Sequence, residues 1–263
     1  MAGEPDDVDT MVDTMVEPMV PSRHRWLAGL LAALPGDRVV DLGCGTGSTL
    51  AQVEAGLALG LDVSSAALAR AAEALALAGD TLFVLVQADL KDPLPLADAS
   101  ADRVLCHDVL ECLPDPDALV AEAARILRPG GRLVLAHTDY DTLVFTSDDL
   151  GLTRRLVHAY CDTQQPWMDA VDGTIRRHLV EVAGRCGLVI EDVQASVVLS
   201  RRFLPGELGW GYAHNIVGAL RGAGWTEPAA LDRWLDGLRA LDERGAFLFS
   251  LNDYAVLCGR MRQ

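Results

Sequence analysis

The chain has 263 residues, half of them hydrophobic, and a formal net charge of -16. That length accommodates one core of about 150 residues with an elaboration, and no apolar run approaches the roughly 18 residues that a membrane span requires. The acidic balance argues against nucleic acid as a partner, because affinity for a phosphate backbone rests on Lys and Arg displacing counterions.

The first 20 residues hold six acids and no Lys or Arg. This is the opposite of a secretory n-region or an Arg-rich transit peptide, so a cytoplasmic chain with no membrane partner is expected. Residues 1–21 contain the near-repeat VDTMVDTMVEPMV, which reads either as an amphipathic lid over a pocket or as a disordered tail. A helix is predicted over about 24–34 from the run WLAGLLAAL, and Pro35-Gly36 ends it.

From there to about residue 137 short apolar strands alternate with Ala-rich helices. Strands are predicted at 39–42, 57–61, 82–86, 103–106 and 132–136, with helices at 64–78 and 116–127. Fully apolar strands separated by helices are the pattern of a parallel sheet covered on both faces, a doubly wound α/β domain over 22–137. Beyond it the composition changes, for 12 of the 14 aromatic residues fall at or after Tyr140. A cap insertion and helix are expected over 138–187, the helix itself at 174–186. Strand-like runs at 188–199 and 246–258 within 188–263 enclose a helical cap insertion at about 200–245. The six cysteines form no CxxC pair and no Cys/His quartet, so no metal site is expected and the thiols read as reduced and structural.

The segment Asp41-Leu42-Gly43-Cys44-Gly45-Thr46-Gly47 follows a predicted strand and opens a helix, where backbone N–H groups approach a ligand with no Cβ in the way. A dinucleotide fingerprint would read GxGxxG; here the glycines are spaced GxGxG, and no GK[ST] follows to make a P-loop. Asp62 ends the second strand, placed for a ribose diol or, alternatively, for capping the next helix. Asp89 lies beyond the third strand, with an adenine contact and a plain turn as its two readings.

VVDLGCGTG, LGLDVS, QADL, ADRVLCHDVLECLPDP and ILRPGGRLVL follow one another in an order and spacing that resembles the class I S-adenosylmethionine (SAM)-dependent methyltransferases, over about residues 36–137. The resemblance implies a Rossmann-like, mostly parallel sheet of seven strands, the last inserted antiparallel beside the fifth. It also implies SAM as cofactor, with S-adenosylhomocysteine as product. By the same resemblance Gly43, Cys44, Gly45 and Gly47 border the amino-acid portion of the cofactor, Asp41 holds its ammonium, and Asp62 and Val63 meet the ribose. Asp89 and Leu90 border the adenine, and His107 with Asp108 lies beside the methionine. Many relatives carry an EH pair where this chain has Glu111-Cys112, so no catalytic histidine carries over there.

Methyl transfer needs an acceptor brought into line and, for a phenol or an ammonium, a base to take its proton. His107 and Tyr140 rank first as catalytic candidates. His137, Asp139, Asp141, Tyr160, Trp167 and His214 are the candidates for binding a small-molecule substrate, the first three in the segment HTDYDT, directly after the fifth strand. Acids at 139, 141, 148, 149, 162, 169 and 172 motivate N-methylation of an amine over O- or C-methylation. An NAD-dependent oxidoreductase and a non-catalytic SAM-binding regulator are the rival classes, and a monomer or homodimer is expected.

Overall fold

The computed structural model describes residues 21–163, 168 and 175–260. The proposed lid over 1–20 and Trp167, Asp169 and Asp172 lie outside the described residues. Helix α1 (Pro21–Leu31) leads into β1 (Arg38–Leu42), β2 (Leu57–Asp62), α2 (Ser65–Leu75), β3 (Leu82–Gln87), β4 (Ala101–His107), α3 (Pro116–Ile126) and β5 (Leu127–Phe145). Then come α4 (Leu150–Cys161), α5 (Ile175–Arg185), β6 (Val189–Ser200), α6 (Leu208–Gly222), α7 (Pro228–Glu243) and β7 (Phe249–Gly259). The local chemistry explains the boundaries. Ser64 caps α2 by accepting from the Ala67 amide, Asp115 caps α3 through Ala118, and Gly187, at φ +73°, turns the chain out of α5.

The seven strands form one sheet in the order β3-β2-β1-β4-β5-β7-β6. β1 to β5 pair in parallel, and β7 runs antiparallel to both β5 and β6, as the resemblance implied. One face is sealed by Leu27 and Leu31 of α1 with Leu68, Ala71 and Leu75 of α2; the other by Leu119, Val120 and Ile126 of α3 with Leu179 and Val182 of α5. A third apolar cluster joins α4, α6 and α7 to the far ends of β5, β6 and β7 through Leu156, Ile216, Trp234 and Phe249. It is the expected helical cap.

One expectation is corrected. The segment HTDYDT does not follow the fifth strand but belongs to it: β5 continues past residue 136 to Phe145, with His137 opposite Tyr254, Thr138 opposite Asp253 and, after a register shift, Phe145 opposite Phe249. The long partner β7 supplies the ladder, and polar residues inside β5 find buried partners across it instead of solvent.

The sheet order reverses between β1 and β4, where a doubly wound fold opens a crevice outside the carboxyl ends of its strands. Leu42 lies opposite Cys106, and His107 opposite Ala136. The glycine loop, the end of β4 and His137-Thr138 of β5 therefore emerge side by side at that crevice.

Candidate active site

Gly43, Gly45 and Gly47 all have positive φ, at +75°, +51° and +75°, a region that strains any residue with a Cβ. Their surroundings differ. A Cβ on Gly43 would meet Val109 Cγ2 at 2.3 Å, so that glycine is required by packing. A Cβ on Gly45 would meet nothing within 4 Å. Gly45 thus presents backbone to open space, a cradle a side chain would fill.

Asp62 fixes this loop. One carboxylate oxygen accepts from the Gly45 amide at 2.8 Å and the other from the Ser64 amide at 2.9 Å, while the Gly43 and Cys44 amides donate to Leu61 O. Ser64, not Asp62, caps α2. The lone pairs left on the Asp62 oxygens suit a diol. Cys44 packs its thiol inward, so only its backbone borders the loop. Asp41 is buried at the end of β1, and burial pushes its carboxyl up to about 7, with His107 opposing and Asp62 adding to the rise. A carboxylate so poorly solvated gains much from a cation, and the residues present fit the ammonium and ribose of SAM.

Beside the loop a buried polar hub gathers residues far apart in the chain. Arg23, from α1, reaches His107 Nε2 (3.0 Å), Asp108 Oδ2 (2.8 Å) and Asp253 Oδ1 (2.9 Å), and also donates to the Thr138 hydroxyl. Asp108 stands at φ +53°, an unusual conformation for a residue with a side chain, held by the Thr138 amide (2.7 Å) and hydroxyl (2.8 Å). Although burial opposes charge on Asp108, His107 and Arg23 prevail and hold it well below the usual carboxylate range. His107 moves upward: burial disfavours its cation, but Asp108 at 3.1 Å outweighs that and the repulsion from Arg23.

A second group lies on the other side of Asp108. His137 Nδ1 is 3.2 Å from Asp108 Oδ1, and its Nε2 faces Glu111 Oε2 at 3.5 Å. The Tyr140 hydroxyl donates to Glu111 Oε1 at 3.3 Å. Around Tyr140 the rings of Tyr160 and Tyr212 lie at centroid distances of 6.3 and 6.1 Å. Burial, and then the Glu111 charge, carry the Tyr140 hydroxyl well above its ordinary range. A continuous polar row thus runs from Tyr140 through Glu111, His137 and Asp108 to His107.

The remaining predicted residues are dispersed. Asp89 is exposed and accepts from the Lys91 amide in a turn, with Val63 and Leu90 nearby along the same strand ends. Asp139 is buried and accepts from the Asp141 amide, and Asp141 pairs with Arg177 at 2.6 Å. His214 belongs to the cap, stacked on Trp210 with its Nδ1 2.8 Å from Trp210 O, and does not join the hub. Sequence reasoning missed Arg23, Thr138, Asp253 and Tyr212, and passed over Glu111 as a base. The signal that was there is Asp253, a charge inside the apolar run of β7.

A family profile for the methyltransferase domain matches residues 40–135. An uncharacterized 37.1 kDa protein of transposon TN4556 in Streptomyces fradiae is 29% identical over 260 residues, covering 96% of this chain and 71% of that one. The 27-O-demethylrifamycin SV methyltransferase of Amycolatopsis mediterranei is 38% identical over 113 residues, 41% of this chain and 41% of the relative, so the match spans less than half of that enzyme. In fold, the YcgJ protein of Bacillus subtilis superposes with a TM-score of 0.58 at 17% identity, over 92% of this chain and 100% of that one. With the loop, its two carboxylates and the antiparallel seventh strand in place, residues 40–135 match the methyltransferase domain, and the chain is similar there to class I SAM-dependent methyltransferases.

Proposed function

We propose that this chain transfers the methyl group of SAM to a hydroxyl oxygen of a small molecule. The observation that carries the donor half is the open cradle over Gly45, bounded by Asp62 and the poorly solvated Asp41. In this reading Gly43, Cys44, Gly45 and Gly47 lie under the amino-acid portion, Asp41 takes the ammonium, and Asp62 with Val63 takes the ribose. Asp89 and Leu90 flank the adenine, while His107 and Asp108 line the methionine end. The bound cofactor supplies a methyl group on a sulfonium, which already has a good leaving group.

The chain then has to place the acceptor oxygen in line, exclude water and hold the proton released. Positioning of that kind contributes up to about 7 to 11 kcal/mol in favourable systems. The His137–Glu111 pair is the better base: His137 Nδ1 is held by the Thr138 carbonyl at 3.0 Å with Asp108 Oδ1 at 3.2 Å, and its Nε2 faces a Glu111 carboxylate oxygen. His107 is engaged by Arg23 and Asp108, and Tyr140 donates to Glu111, so both are assigned to orienting ligands and not to taking a proton. Proton removal by a positioned base is worth about 10² to 10⁴ in rate.

The acids that motivated an amine acceptor are otherwise occupied: Asp141 pairs with Arg177, Asp148 with Arg244, and Asp149 caps α4. The Amycolatopsis relative is named for methylation at an oxygen, which supports the hydroxyl reading. An amine remains the second reading on one observation, the Glu111 carboxylate beside the Tyr140 hydroxyl within a cluster of three tyrosine rings, a setting that suits a cation. Release of S-adenosylhomocysteine is to be measured with phenol, alcohol, amine and carbon-acid acceptors side by side. Turnover is expected with hydroxyl compounds, and turnover confined to amines would replace the first reading by the second.

A further inference from the structure

With both its acids ionised and His107 neutral, the buried hub holds an excess of negative charge, because Arg23 alone stands against Asp108 and Asp253. Arg23 and Asp253 are buried, so solvent does little to screen the imbalance. A proton on His107 removes it, and histidine is the side chain that titrates near neutral pH. The charged groups facing the ring are Arg23 from α1, Asp41 from β1, Asp108 at the end of β4 and Asp253 from β7; β5 adds only the uncharged Thr138 hydroxyl to the hub. Three acids against one base draw the ring toward its cation, as its upward shift shows.

His107 Nε2 has two partners that cannot be satisfied together. Arg23 Nη2, at 3.0 Å, can only donate, so that contact is a hydrogen bond while Nε2 is bare. Asp108 Oδ2, at 3.1 Å, accepts, so that contact is a hydrogen bond while Nε2 carries hydrogen. A partner for either state is already in place, and the imidazole can gain or lose its proton without moving.

We infer that His107 is the residue by which the site tells SAM from S-adenosylhomocysteine: it carries a proton in the empty and product-bound chain and gives it up when the sulfonium enters. The inference rests on the donor reading of the crevice, which puts His107 beside the methionine portion and Asp41 on its ammonium. SAM and S-adenosylhomocysteine carry the same charges except at sulfur. A cation arriving beside the ring takes over the balancing of Asp108 and Asp253 and repels the imidazolium, whose Nε2, once bare, accepts from Arg23. The proton leaves on binding, before transfer, so His107 is a specificity residue for the donor and not the base for the acceptor. Asp41 responds to the ammonium that both ligands share and drops out of the comparison.

Calorimetric titration of the full chain with SAM and with S-adenosylhomocysteine, each in phosphate and in Tris, tests this, because buffers of different ionisation heat count the protons exchanged. SAM should release more protons than S-adenosylhomocysteine. A ligand that expels a proton binds more tightly as pH rises, so the affinity ratio of SAM to S-adenosylhomocysteine should increase about tenfold from pH 6 to pH 8. In His107→Gln both differences should vanish while S-adenosylhomocysteine still binds, with circular dichroism as the check of folding. A proton difference that survives in His107→Gln would overturn the inference and move the switch to another group, first of all Asp253, whose carboxyl is also raised by burial. Should His107→Gln not fold, the parent chain still decides: equal proton counts and a flat affinity ratio would overturn this inference alone, whereas a chain that binds neither ligand would overturn the donor reading beneath it.

Discussion

The proposed donor side is made of residues 41–47 with Asp62, whereas the proposed acceptor side draws side chains from α1, the end of β4 and the turn after it, β5, β7 and the cap. On the proposed donor side backbone at positive φ lines the cradle: a Cβ on Gly43 would strike Val109, while one on Gly45 would enter open space. On the acceptor side charge balance does the positioning: Arg23 binds Asp108 and Asp253 from 85 and 230 residues away. The first kind of site is local and leaves a motif. The second is assembled by folding and leaves almost none.

The largest expected effect falls on the hub. Arg23→Met leaves Asp108 and Asp253 buried without their cation, and breaking a buried pair of this kind costs about 3–5 kcal/mol. Urea unfolding should show it, and a loss under 1 kcal/mol would mean that the hub is not charge-balanced by Arg23. Next come Glu111→Gln and His137→Gln, each expected to lower kcat by about 10² to 10⁴ while leaving cofactor affinity unchanged. Loss of cofactor binding in either variant would place these residues on the donor side and erase the division.

Asp41 yields an effect of opposite signs in two measurements. Its folded pKa of about 7 exceeds the unfolded value of 3.8, so ionising it opposes folding. That penalty grows as pH rises from the unfolded value to about 7 and is full above it, by up to about 4 kcal/mol. Asp41→Asn should therefore raise the melting temperature at pH 8 yet weaken cofactor binding by roughly 10- to 100-fold, the scale of a charge-assisted hydrogen bond. In the parent chain the same titration makes cofactor binding tighter at pH 8 than at pH 6. The smallest effects belong to the exposed acids. Asp141→Asn and Asp148→Asn should change stability by no more than about 0.5 kcal/mol and leave acceptor KM unaltered; a large rise in KM for an amine would return them to the acceptor site.

The strand-helix alternation and the glycine loop were legible because each follows from local pattern and short-range sterics, while the place of the seventh strand beside the fifth came from the resemblance alone. The cap was legible as a shift in aromatic content, and its helices α6 and α7 appear where that shift places them. The extension of β5 through HTDYDT was not, since a strand that buries polar residues against a long antiparallel neighbour shows no apolar run. Nor was Arg23, whose surroundings RHRWL look like any basic helix start. His214 drew notice as a pocket residue, yet it serves as a stacking partner for Trp210. The acids of the acceptor half were misread for the same reason: their arginine partners Arg177 and Arg244 are 36 and 96 residues away.

Calorimetric titration of the parent chain and of Gly45→Val with S-adenosylhomocysteine and with NADH tests the central claim most directly. A Cβ at position 45 enters the open cradle with no heavy atom within 4 Å, and because φ there is +51° circular dichroism checks that Gly45→Val is folded. The parent chain should bind S-adenosylhomocysteine at one site per chain, Gly45→Val should lose that binding while staying folded, and NADH should give no heat with either. Saturable NADH binding, or S-adenosylhomocysteine binding that survives in Gly45→Val, would contradict the assignment of the loop as the methyl-donor site.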